Sequence, residues 1–74
     1  MQTMRWYNPT TRSVEDTAVP RSDTQAIELL SGDEYSDEFI TEYMGLRETH
    51  DIVESLIFTG QTFQMVHREE QPPP

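Results

Sequence analysis

The stretch MRWYNPTTRSVEDTAVP, Met4 to Pro20, decides between an all-helical chain and a mixed one. Two short segments, Met4–Tyr7 and Ser13–Val19, flank Asn8-Pro9-Thr10-Thr11. Asn at the first position of a turn and Pro at the second suit type I geometry, because the proline ring pre-sets the φ that the turn needs. Period-2 alternation places Met4 and Trp6 on one face, with Val14 and Ala18 expected beside them from the partner strand. Pro20 stops the second strand, having no N–H to offer a ladder. A lone two-stranded ribbon is marginal in water. The hairpin, residues 1–20, must therefore pack on helices.

Working outward, residues 22–31 read as a short helix. Ser22 and Gln25 have capping-box spacing, Ala26, Ile27 and Leu30 form its apolar stripe, and Gly32 is a suitable stop. Residues 36–47 read as a second helix. Ser36 is the expected N-cap, with Tyr35 and Ile40 at the staple positions on either side of it. Asp37 and Glu38 sit in the first turn, where the helix dipole favours negative charge. Phe39, Tyr43 and Leu46 share one side at the helical period, widened by Ile40 and Met44. Residues 49–67 read as a third helix, capped by Thr49, with Ile52, Leu56 and Phe63 pointing together and Val53, Ile57 and Val66 beside them. Gly60 interrupts this pattern at a cost of about 1 kcal/mol relative to alanine, so it marks a kink or a close approach of another element. The two stripes do not share one register, which predicts two antiparallel helices with a short joint. The fold class is a small α+β domain over residues 1–68, with a disordered Pro-rich tail at 69–74.

The chain has 74 residues, no cysteine and 34% hydrophobic residues, so one modest core without disulfides is the most it can build. It has neither an apolar run of membrane-spanning length nor the apolar N-terminal stretch of a signal peptide. That composition predicts a cytoplasmic protein with no membrane partner, in the host cytoplasm if it is viral.

Charge is the loudest global feature. Fourteen acids face five basic residues, all arginine, for a net charge of −9. Residues 28–54 carry nine of the acids against Arg47 alone. Such a surface repels phosphates, which argues against direct nucleic-acid binding and for a basic partner.

Within GDEYSDEFITEY, Gly32 to Tyr43, a calcium loop is the first chemical idea. Calcium loops space their oxygens at alternate positions around a sharp glycine turn; here the acids fall in adjacent pairs after the glycine. His50 and His67 stand near opposite ends of one predicted helix, about 25 Å apart, too far to share an ion. No phosphate-cradling loop or nucleophile motif is present, and nothing in the pattern singles out one acid as buried and poised for catalysis. The expectation is a non-catalytic protein without cofactor or metal.

Capping explains Ser36 and Asp37, but not Asp33, Glu34, Glu38 and Glu42 with no lysine to answer them. These acids, with Asp37, predict a face that meets a protein partner with a basic surface. Phe58 and Met65, seven residues apart on the side of the third helix away from Ile52 and Leu56, predict an apolar anchor or a homodimer seam. The expected function is stoichiometric binding that inhibits or regulates the partner, of the kind small phage-encoded inhibitors use to block a basic nucleic-acid-binding surface. The alternative is a small structural or assembly subunit whose acidity serves only solubility or salt adaptation.

Overall fold

Strand β1 (Thr3–Asn8) pairs antiparallel with β2 (Ser13–Ala18), and α1 (Asp23–Leu30), α2 (Ser36–Leu46) and α3 (Ile52–Glu70) follow, giving a small α+β domain. The computed structural model describes the backbone of residues 1–70 and the side chains of residues 1–63. The Met65 side chain and residues 71–74 of the expected tail therefore lie outside the described residues. Helix α3 takes in Glu69 and Glu70, the first two residues assigned to that tail.

The hairpin turns where Asn8-Pro9 predicts. The Asn8 side chain accepts from the Thr10 N–H at 2.9 Å, and its carbonyl accepts from the Arg12 N–H at 2.7 Å. Arg12 closes the loop at φ 59°, in the left-handed region. The register pairs Trp6 with Glu15 and Met4 with Thr17. Directly paired residues share a face, so Met4 and Trp6 point into the core beside Glu15 and Thr17. Val14 and Ala18, expected on that face, lie on the other one, and Val14 is 63% exposed. The reason is loop length: four residues between the strands set a register one step from the assumed one, which exchanges the faces.

Met4, Trp6, Ala26, Leu30, Phe39, Tyr43 and Leu56 form the buried core. Burying each large side chain among them contributes about 1.5–3 kcal/mol. Helix α3 supports β1 through small residues. Ser55 and Thr59 are fully buried, and Thr59 Oγ1 donates to the Ser55 carbonyl at 2.7 Å. At Gly60 a Cβ would stand 2.6 Å from Tyr7 Cδ2 and 2.7 Å from the Tyr7 carbonyl oxygen. The glycine thus marks a close approach, and the strand that approaches is β1.

Caps decide the joints. Ser22 caps α1 by accepting from the Gln25 N–H at 3.3 Å, while Gln25 Oε1 takes the Arg21 N–H at 2.7 Å. At α3 the cap is Asp51, not Thr49. Asp51 Oδ1 accepts from the Glu54 N–H at 2.8 Å, and Glu54 Oε1 accepts from the Asp51 N–H at 3.4 Å. Asp and Glu three apart form a reciprocal box, and Thr49 lies in the preceding turn. Helices α2 and α3 run antiparallel, since Phe63, late in α3, stacks against Tyr35 and Phe39 at the start of α2. Met44, assigned to the α2 stripe, is 45% exposed.

Candidate functional site

The acidic run at the start of α2 is partly consumed by the turn that builds it. Ser36 is the first helical residue, and Tyr35 occupies the N-cap without a side-chain capping bond. The expected Ser36 cap is replaced by a loop lock. Ser36 Oγ donates to the Asp33 carbonyl at 2.7 Å and accepts from the Asp33 N–H at 3.0 Å. Asp33 Oδ1 accepts from the Tyr35 N–H at 2.6 Å. A carboxylate two residues before a backbone donor makes an Asx turn, which a rule assigning Ser36 as the cap overlooks. Tyr35 packs on Phe39, with ring centroids 6.4 Å apart, and on Phe63 at 5.4 Å. Its described ring neighbours are thus an aromatic pair.

The five acids singled out from the sequence separate into two groups. Glu34, Asp37 and Glu38 are exposed, whereas Asp33 is half-buried in the turn and Glu42 is half-buried against α3. Glu42 hydrogen-bonds with Thr62, and its Oε1 is buried without a hydrogen-bond partner. Burial raises its pKa from 4.5 to about 7, opposed only in part by the Thr62 bond. The sequence pattern singles out no acid as buried, and only the fold shows that Glu42 is partly so. Glu42, three residues after Phe39, lies at the margin of the apolar stripe, where one side of the side chain meets α3 at Thr62. Asp37, Glu38, Thr41 and Glu42 border an open cleft of about 400 Å³. A carboxyl titrating near neutrality can exchange a proton there. Among the described residues no three metal-ligating side chains converge.

A second charged constellation escapes a reading of local pattern. Asp23 Oδ1 accepts from the Tyr43 hydroxyl at 2.6 Å and from Arg47 Nε at 2.8 Å, while Arg47 Nη1 donates to the His50 carbonyl at 2.8 Å. The Tyr43 hydrogen bond, followed by that of Arg47, holds the Asp23 carboxyl below its ordinary range, and burial beside Asp23 raises the Tyr43 hydroxyl. This hub ties the start of α1 to the end of α2. Tyr43 and Arg47, four apart on α2, share a helix face; the twenty residues back to Asp23 hide the third member.

Of the apolar anchor, Phe58 is 37% exposed, and the His50 ring meets it edge-on at 5.3 Å. Its other proposed member, Met65, lies outside the described residues. No helix among the described residues is long and apolar enough to cross a membrane.

Comparison with known protein-family models, curated proteins and solved structures finds no significant match.

Proposed function

We propose that this chain is a non-catalytic acidic module that binds a protein partner stoichiometrically and thereby inhibits or regulates it. The partner presents a basic surface, of the kind that nucleic-acid-binding proteins use for phosphates. One observation carries this reading: Glu34, Asp37 and Glu38 are exposed together at the start of α2, and the described ion pairs, Arg5–Asp16 and Arg47–Asp23, lie elsewhere. Carboxylates left without a cation steer a basic partner and speed its association. Phe58, met edge-on by His50, offers a separate apolar contact near the other end of α2. Asp33 and Glu42 shape the site more than they present charge, because the turn and α3 hold them.

The test is a triple reversal, Glu34→Lys/Asp37→Lys/Glu38→Lys, in the full chain. All three side chains are solvent-exposed, so the fold should hold within roughly 0.5 kcal/mol per site. Partners retained on immobilised wild-type protein from its native host are identified by mass spectrometry, and their binding to both proteins is then measured. Loss of binding to the variant, with association to wild type slowing as salt rises, is the expected result. Equal binding to both proteins, or association indifferent to salt, overturns the electrostatic reading. Folding that strengthens steeply with salt in the absence of any partner would favour acidity that serves only solubility.

A further inference from the structure

The two edges of the hairpin are treated differently by the rest of the chain. Val19 N–H donates to the Gln2 carbonyl at 3.1 Å, which fixes the phase of the ladder. Hydrogen-bonded and non-hydrogen-bonded pairs alternate in an antiparallel ribbon. Hence Thr17, Glu15 and Ser13 turn their backbone groups toward β1, while Ala18, Asp16 and Val14 turn theirs outward. By the same alternation Tyr7 faces outward from β1, and its carbonyl lies against Gly60 of α3. At Tyr7 the outer edge of β1 is therefore covered by α3. No third strand among the described residues pairs with β2.

Beside that open edge, Thr17, Val19, Pro20, Glu28 and Leu29 line a cleft of about 520 Å³ between β2 and α1. Its size is in the range that binding clefts occupy, and Val19, Pro20 and Leu29 make its walls apolar. Of its lining residues only Glu28 is charged; Glu15 precedes Thr17 along the same face of β2, and Arg21 stands at the opposite end, next to Pro20 and Gln25. The Glu15 carboxylate is held by neutral donors only, Asn8 at 3.0 Å and Thr11 at 2.7 Å among them, so its charge is kept. Glu28 is exposed and has no ion pair among the described residues. Asp16 is shared with Arg5 at 3.3 Å, an exposed pair.

We propose that the free edge of β2 receives an extended basic segment of a partner protein as a third strand. The outward N–H and C=O groups of Val14, Asp16 and Ala18 supply the ladder. Alternate side chains of the incoming segment enter the cleft beside α1, and basic ones meet Glu15 and Glu28. Addition of a strand to an exposed edge is an established route of peptide recognition. A second copy of this chain fits poorly. Two β2 edges side by side would bring Glu15 and Asp16 of each against like charges, on chains that each carry −9. The same carboxylates that keep the edge from self-pairing make it receptive to arginine or lysine. This surface is separate from the start of α2 and stands or falls independently of it.

The experiment titrates the isotope-labelled full chain with a synthetic heptapeptide of alternating arginine and valine, followed by amide NMR. Saturable shifts centred on Val14, Asp16 and Ala18, with those amides exchanging roughly tenfold more slowly, are expected. Methylating alternate backbone nitrogens of the peptide should weaken binding by at least about tenfold, since it removes ladder donors without altering charge. Ala18→Pro should do the same from the protein side; its N–H faces outward, where proline is tolerated on an edge. If that variant fails to fold, the methylated peptide decides alone. Glu34→Lys/Asp37→Lys/Glu38→Lys should leave peptide binding intact. Shifts centred on Glu34, Asp37 and Glu38, equal binding of the methylated peptide, or dimerisation that protects β2 without peptide would each overturn the proposal.

Discussion

Helix α2 has two seams, and they are closed by opposite means. Toward α1, Tyr43 and Arg47 satisfy Asp23 with a hydroxyl and a guanidinium, and the carboxylate titrates below its ordinary range. Toward α3, the rings of Tyr35, Phe39 and Phe63 close the seam, with Phe39 and Phe63 edge-on at 4.5 Å, and Glu42 is left with a buried oxygen lacking a partner. Two carboxylates on neighbouring joints thus move in opposite directions. Asp23 gains two donors for its charged form, while Glu42 loses water and gains only Thr62. Counting acids cannot distinguish them. Their partners can.

The comparison breaks most visibly at Phe39. Phe39→Ala removes the ring that holds α3 on α2 and should cost about 3–5 kcal/mol, enough to leave a domain this small largely unfolded by urea titration at 25 °C. Retention of a sharp transition near the wild-type midpoint would show that the aromatic seam is not what holds α3.

Glu42→Gln tests the unsatisfied carboxyl, with the opposite sign. With its pKa raised from 4.5 to about 7, the folded state holds the proton more tightly than the unfolded chain. Its stabilising effect is complete below about pH 4.5 and lost as pH rises through about 7. Glutamine has no proton to lose, so the variant should be about 1–2 kcal/mol more stable than wild type at pH 8, after allowance for partial solvent screening. Denaturation midpoints measured from pH 4 to 8 should converge at the acid end. A constant gap across that range would assign the effect to packing instead.

Tyr43→Phe sharpens the other seam. Removing the hydroxyl should cost about 1 kcal/mol at neutral pH. Asp23 then loses the larger of the two hydrogen bonds that lower its pKa. The Asp23 contribution is present above its ordinary 3.8 and lost as pH falls through its lowered folded value. In Tyr43→Phe that acid limb should shift upward, toward 3.8, as read from carboxyl NMR titration of Asp23. An unchanged Asp23 titration would leave Arg47 alone responsible.

How much was legible in the sequence follows the range of each interaction. The sequence by itself determined the α+β class, the turn at Asn8-Pro9, the Ser22 cap and the buried positions of Trp6, Phe39, Tyr43 and Leu56, because each depends on neighbours within about one turn or one strand step. It also pointed to Gly60 as a place of close approach or bending, since a glycine in a helical stripe has a cost that something must offset. Tertiary structure alone decided which face of β2 turns inward, a matter of one residue in loop length. It decided that Asp51 with Glu54, not Thr49, begins α3, and that Asp33 locks the turn ahead of α2. Above all it sorted the acids: Asp23 found donors twenty residues away, Glu42 was folded under α3, and Glu34, Asp37 and Glu38 stayed in water. Net charge is a property of composition, but the pKa and partners of each carboxylate depend on what folding brings within hydrogen-bond distance, which local sequence does not contain.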